Sequence, residues 1–363
     1  MDIQKIGILT GGGDCPGLNP VIRAVTRTAV LKYGLKVAGV RNGYRGLYTG
    51  DIVDLDLDAV SGILPVGGTM LYSSNKDNLF QYPVEENGKT VIKDESHVGV
   101  ENLKKAGIDA LIIVGGDGTL TSGRDFSRLG VNVIGVPKTI DNDLASTDTT
   151  FGFDTAVGVA TEALDRLHTT ASSHHRIMVL EVMGRYAGWI GLHAGIAGGA
   201  DAILIPEIPY DIQKVAQAVE RRKEMGKQFS VIVVAEGAKS VTGEMVVRTV
   251  VEDSPDPIRL GGVGNKVADD LEKMCGLEAR ATILGHLQRG GTPTAYDRIL
   301  STRYGSYAVD LAMEGKFGNM VTLKGNAMSY DSLENVIGQK TKNVDPSGEL
   351  VRFARNIGIS FGD

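Results

Sequence analysis

The chain has two cysteines, Cys15 and Cys275. Two thiols cannot build a disulfide framework, which excludes the small bridge-stapled secreted scaffolds and leaves a reducing cytoplasm as the expectation. Long apolar runs are missing as well. None approaches the roughly 20 residues that cross a bilayer, so no membrane partner is expected. Nor is there a basic excess: 38 Lys+Arg against 44 Asp+Glu give a net charge of −6. That balance argues against nucleic acid and requires any anionic ligand to find a local cluster of cations. The opening MDIQKIGILT enters a strand-like run at once, with no room for the regions of a signal peptide. Fixed-period repeats and low-complexity linkers are also absent. What remains is an ordinary globular composition, 42% hydrophobic and 23% charged over 363 residues, enough for one large or two medium domains.

Short, continuous, β-branched-rich runs occur at 5–10, 35–40, 110–115, 131–136, 176–182, 201–206 and 230–236. Amphipathic stretches lie between most of them, such as 154–168, apolar at 156, 157, 160, 163, 164 and 167 in a helical period. The alternation predicts an α/β fold with parallel sheets, right-handed crossovers and ligands at the carboxyl ends of strands. Residues 76–96 are polar and strand-poor, and read as an excursion near the site. The last forty or so carry a weaker pattern and no motif.

The most informative segment is LIIVGGDGT, Leu111–Thr119, followed by VPKTIDND, Val136–Asp143. An apolar run stopping in Gly115-Gly116-Asp117-Gly118-Thr119 predicts a buried strand entering a phosphate-binding turn, where glycines let amides approach an anion. An acid there makes sense if it holds Mg²⁺, which bridges a carboxylate to phosphates; the plain alternative is an Asx turn capping a helix. The second piece offers a cation (Lys138), a hydroxyl (Thr139) and two carboxylates (Asp141, Asp143). If extended, it would point residues 139, 141 and 143 the same way; a solvated acidic turn is the plain alternative. Thr10-Gly11-Gly12-Gly13 precedes a helix starting near Asn19-Pro20 and reads either as a phosphate loop over a helix N-terminus or as a tight turn with packing glycines. Together these pieces indicate phosphoryl transfer.

The motifs GGGDCPGLN (11–19), GGDGT (115–119), PKTIDND (137–143), SSHHR (172–176), EVMGRYAG (181–188), AEG (235–237) and GHLQRGG (285–291) resemble those of the 6-phosphofructokinases in order and spacing, from about Lys5 to at least Tyr307. The resemblance implies two Rossmann-like three-layer α/β/α domains with mainly parallel sheets and the active site in the cleft between them. A nucleotide-binding domain would take 1–150 plus about 288–325, and a fructose-phosphate-binding domain 151–287 plus about 326–363. It implies ATP-dependent phosphorylation of fructose 6-phosphate to fructose 1,6-bisphosphate, the committed step of glycolysis, with Mg²⁺ as cofactor, in a cytoplasmic homodimer or homotetramer.

By resemblance, Gly13, Lys76, Gly116, Asp117, Gly118 and Thr119 bind the nucleotide, and Asp117 the metal. Asp141 is the general base, Thr139 positions the transferring phosphoryl group and Arg185 stabilises transition-state charge. The sugar phosphate would meet Thr139, Ile140, Asp141, Arg176, Met183, Gly184, Arg185, Glu236, Arg280, His286, Leu287, Gln288 and Arg289. Arg176 and Arg280 would reach in from a neighbouring subunit. Cys15 reads as packing.

Three departures from the family pattern stand out. Where bacterial allosteric members place an arginine after GGT (67–69), this chain has Asn75 and then Lys76. A cation usual near SSHHR is His168, so the effector pocket is only partly matched despite Arg23 and Arg27. The third concerns the donor. Pyrophosphate users carry Asp at the position of Gly118, where its carboxylate would exclude the ATP α-phosphate, and Lys at the position of Lys138. With Gly118 beside Lys138 the chain is a mixed type; ATP is expected, Lys138 being read as a spare cation that can swing aside. Pyrophosphate is the alternative donor. NAD and lipid kinases share GGDGT but lack the other motifs, and a non-catalytic sugar-phosphate-binding subunit would not need Asp117, Asp141 and Arg185 intact.

Overall fold

In the computed structural model of the protein, residues 3–86, 88–243, 247–250 and 258–363 are described, without the side chains of 247–250 and 258–260. They divide into two compact units. The first comprises residues up to Thr139, Leu144–Gly152 and Arg289–Lys340; the second comprises Ile140–Asp143, Phe153–Gln288 and Thr341–Asp363.

The first unit is built on a seven-stranded sheet. In spatial order its strands are Ala327–Ser332, Asn319–Lys324, Val133–Pro137, Ala110–Gly115, Lys5–Thr10, Lys36–Val40 and Ile52–Leu55. The five inner strands run parallel, and the two edge strands are antiparallel. Three of the inner strands, ALIIVG, VIGVP and all but the first residue of KIGILT, are buried. Only a sheet covered on both faces permits that. Leu9, Ile113, Val133 and Phe126 belong to one apolar cluster with Leu120 and Leu333, so the helices Asp117–Arg128 and Leu333–Gly338 seal one face. The helices Leu18–Tyr33 and Ala295–Met313 pack on each other.

The second unit holds a four-stranded, wholly parallel sheet in the order Ala279–Ile283, Ile177–Val182, Ser230–Ala235, Ala202–Leu204. Its inner strands IMVLEV and SVIVVA are buried throughout. On one face the helices Ile212–Glu224 and Val263–Cys275 bury Val215, Val219, Val267 and Leu271 against Ile177, Val179, Ile232 and Val234. On the other lie Phe153–His174 and Trp189–Ala197.

Two expectations are corrected. Residues 76–96 are not strand-poor: Tyr82–Glu86 and Lys89–Lys93 form an antiparallel hairpin. Its strands are mostly exposed, so no burial periodicity marks them, although the Asn87-Gly88 pair is a hairpin-turn signal. The end of the first unit lies at Lys340 rather than about 325, because Ala327–Ser332 pairs with Asn319–Lys324 and the helix after it packs on Asp117–Arg128. Ile140–Asp143 belongs to the second unit, held there by the C-terminal segment.

Candidate active site

In the first unit, Lys5–Thr10 and Ala110–Gly115 lie side by side. Further strands add outward from each in opposite directions, which makes their carboxyl ends a topological switch point, where doubly wound sheets leave room for ligands. The two glycine turns leave from there and close around one side chain. A Cβ on Gly11 would stand 2.7 Å from Thr119 Cγ2, and one on Gly115 would collide with the same threonine. The Thr119 carbonyl in turn accepts a 2.8 Å hydrogen bond from the buried Tyr44 hydroxyl. Asp117 opens the helix Asp117–Arg128 directly after Gly116, and both Asp117 and Gly118 are exposed. No described atom lies within 4 Å of where a Cβ on Gly118 would be.

The other turn, Thr10 to Gly17, is braced by a segment that sequence reasoning passed over. Gly12 N–H donates to the Ser74 carbonyl at 2.9 Å and Ser73 Oγ donates to the Gly12 carbonyl at 2.5 Å. Exposed Lys76 follows, its amide on Ser74 Oγ at 3.3 Å. The paired serines were the available signal.

Two cations meet this turn. Lys138 is only 5% exposed; its amide donates to Gly115 O at 3.0 Å and its ammonium to Gly13 O at 2.6 Å. It is therefore fixed, not a lysine free to swing aside, because both ends are bound to the two glycine turns. Arg289, expected at the sugar phosphate, belongs to the first unit and donates from Nη1 to Asp14 O at 3.4 Å; its guanidinium fills the space a Cβ on Gly13 would take. Cys15 is buried beneath, its thiol on Phe151 O at 3.8 Å. Burial pushes that thiol up to about 12, against the opposing pull of Lys138.

Thr139 ends its stretch of the first unit with its carbonyl accepting from Thr150 Oγ1 at 2.7 Å. The next residues are not extended as expected. Ile140 and Asp141 lie in a bend, and Asn142 has φ +52, a left-handed conformation that costs a non-glycine residue on the order of 1 kcal/mol. The side-chain alternation of a strand therefore stops at Asp141.

In the second unit, parallel pairing sets the MGR and AEG turns next to each other. Glu236 N–H donates to Val182 O at 2.9 Å, and Gly237 N–H to Gly184 O at 3.1 Å. Gly184 takes φ +136, and a Cβ on Gly237 would run into the Arg185 carbonyl; both need glycine. Half-buried Arg185 has its guanidinium 5.1 Å from the Tyr186 ring centre. Gln288 is fully buried; its Oε1 accepts from Met183 N–H at 3.2 Å and its Nε2 donates to Gly285 O at 3.1 Å. It braces the turn from within, and an exposed ligand contact is not its place. His286 and Leu287 are exposed beside it.

Arg176 and Arg280 are not brought to these turns. Arg176 precedes the strand Ile177–Val182, and Arg280 is the second residue of the neighbouring strand in register with it. A six-residue strand spans about 20 Å, which separates both from Arg185. Both pair with Glu278, Arg176 at 2.6 Å, and the Arg176 guanidinium holds that carboxyl below its ordinary range.

Among the described residues, no group of three or more His, Cys, Asp or Glu side chains could cage a metal. Mg²⁺ needs no cage: one or two carboxylates with substrate phosphates and waters suffice, and the exposed Asp117 at a helix start fits that requirement.

Within the first unit, glycine turns at a switch point with a fixed lysine beneath them have the features of a phosphate-binding site. Residues 5–312 match the family described as PFK: Phosphofructokinase. The chain is 70% identical to "ATP-dependent 6-phosphofructokinase 2" of Clostridium perfringens over 99% of each chain. It is 51% identical to "Pyrophosphate--fructose 6-phosphate 1-phosphotransferase" of Streptomyces coelicolor, over 99% of this chain and 100% of that one. Its structure is similar to that of a phosphofructokinase from Saccharomyces cerevisiae, at TM-score 0.77 and 32% identity, covering 92% of this chain and 45% of the yeast chain, about half that chain's length. The chain belongs to the phosphofructokinase family.

Because both thiols are buried and burial raises both, neither should react with a disulfide reagent in the native protein at pH 8, and both should react in denaturant. Rapid stoichiometric labelling of native protein would contradict the placement of Cys15.

Proposed function

We propose that the chain transfers the γ-phosphoryl group of ATP to the 1-hydroxyl of fructose 6-phosphate, giving ADP and fructose 1,6-bisphosphate. Overall similarity does not choose the donor by itself, since a pyrophosphate-named relative stands at 51% identity. The observation that carries the choice is the open space at Gly118, where the pyrophosphate users' aspartate would stand. The 70% identical relative named for ATP supports the same reading.

The amides and helix dipole behind Gly116, Asp117, Gly118 and Thr119, with Gly13 opposite, would receive the donor phosphates. Lys76 would lie at the margin. Asp117 would hold Mg²⁺, which when bound neutralises phosphate charge. Lys138, bound to Gly13 O, would add a fixed cation whichever donor is present, so it supports binding without selecting between donors. Asp141 would take the proton from the sugar hydroxyl as its oxygen attacks the γ-phosphorus and the bond to the bridging oxygen breaks. Thr139 would steady the transferring group, and Arg185 the charge on it. Glu236 would accept from sugar hydroxyls; Ile140, Met183, Gly184, His286 and Leu287 would shape the sugar site. Arg289 would serve phosphate from the glycine loop.

Arg176 and Arg280 lie at the far end of their sheet from Arg185, which supports a different use for them: the sugar phosphate of a second copy in a homo-oligomer. A fully active monomer by light scattering at assay concentration would contradict that. A cytoplasmic location agrees with the described helices, none of which is long and apolar enough to cross a membrane.

Asp141→Ala should lower kcat about 10²- to 10⁴-fold with little change in the fructose 6-phosphate KM; a near-normal kcat would refute the base. Gly118→Asp should fold, since a Cβ there meets open space at an exposed helix position, yet lose kcat/KM for ATP by about 100-fold, the effect of roughly 3 kcal/mol of like-charge opposition. Retained ATP efficiency would remove Gly118 as the selecting position.

A further inference from the structure

The segment after Lys340, which carries no motif, runs as a strap over the second unit. Lys342 makes its key contacts. Its amide donates to Asp143 O at 2.8 Å, and its ammonium donates to Asn142 Oδ1 at 3.0 Å. Its carbonyl accepts from Trp189 Nε1 at 2.7 Å, and its ammonium lies 5.9 Å from the Trp189 ring centre. Two residues on, Val344 N–H donates to Glu207 Oε1 at 2.9 Å, the oxygen that also accepts from Gly188 N–H at 2.9 Å. Gly188 and Trp189 begin the helix that follows the Arg185 turn.

One residue thus grips both positions immediately after Asp141 and ties them to the Trp189 indole, four residues beyond Arg185. The grip falls at Asn142, whose left-handed backbone an asparagine tolerates better than most residues but still at a cost relative to glycine. We propose that Lys342 is a positioning residue for the phosphoryl transfer: it fixes the Asp141 carboxylate against the Arg185 turn by clamping Asn142 and Asp143 to Trp189. This rests on the reading of Asp141 as the base. Lys342 need touch neither substrate.

Lys342→Met removes the ammonium and keeps the backbone contacts and stem. It should lower kcat about 10- to 100-fold, the range expected when a catalytic group is displaced by a fraction of an ångström to an ångström, while both substrate KM values stay within about threefold. Combined with Asp141→Ala, it should cost less than about twofold more, because a residue that acts through Asp141 has nothing left to act on. A purely structural role would carry its full loss into that background, and such additivity overturns the proposal, as does a kcat within about twofold of the unaltered enzyme. A near-normal kcat for Asp141→Ala alone overturns the base and the positioning role together, so the two failures are told apart. If Lys342→Met does not fold, Trp189→Phe keeps an aromatic ring, though a smaller one, and deletes the donor to the Lys342 carbonyl. A kcat fall of about threefold or more with unchanged KM values then supports the clamp, and an unchanged kcat refutes it.

Discussion

Close approach of backbone to side chain at the carboxyl ends of adjacent parallel strands is the constraint on which the rest depends. In the first unit Thr119 is wedged between Gly11 and Gly115, so the two glycine turns share a single side chain's width of space. In the second, Gly237 touches the Arg185 carbonyl, and Gly184 takes the conformation that lets the chain turn there. A Cβ at Gly11 or Gly115 would need the space of the buried Thr119 and one at Gly184 or Gly237 the space of a neighbouring backbone carbonyl, and packed structure does not yield either cheaply. The sheets set the distances; the glycines let the turns close on them.

Charge is arranged on top of that frame. A chain with a net charge of −6 must concentrate cations where it receives an anion. Lys138 and Arg289 both do so by donating to carbonyls of residues 13 and 14, so the loop that would receive phosphate also fixes the cations under it. A buried ammonium held in this way contributes a constant field and needs little reorganisation when an anion arrives. In the proposed reading, donor choice falls to Gly118, where a Cβ would meet open space.

The sequence made the inner strands other than Asn319–Lys324 legible, because parallel strands covered on both faces appear as unbroken apolar runs, and ALIIVG and SVIVVA are buried along their whole length. NMVTLK, buried only over Met320–Leu323 with Thr322 inside it, gives too short an apolar run. Edge elements escaped notice for the opposite reason. Ile52–Leu55, Ala327–Ser332 and the 82–93 hairpin are half-exposed or exposed, and their polar residues mask the period. Candidate site residues could be named from the sequence, but their partners could not. Nothing in PKT shows that the lysine binds Gly13 O, nor in GHLQRGG that Gln288 turns inward to Met183 while Arg289 meets Asp14. Lys342 was invisible because its contacts run to residues some 150 to 200 positions away, two of them through its own backbone groups. Such contacts leave no local pattern.

The central claim is that open space at Gly118 selects ATP while the buried Lys138 does not select pyrophosphate. The direct measurement is kcat/KM of the unaltered protein for ATP and for pyrophosphate, side by side, at one saturating concentration of fructose 6-phosphate with Mg²⁺ present. A preference for ATP of about 100-fold or more is expected, in line with a roughly 3 kcal/mol distinction at one position. A clear preference for pyrophosphate would contradict it and transfer the deciding role to Lys138.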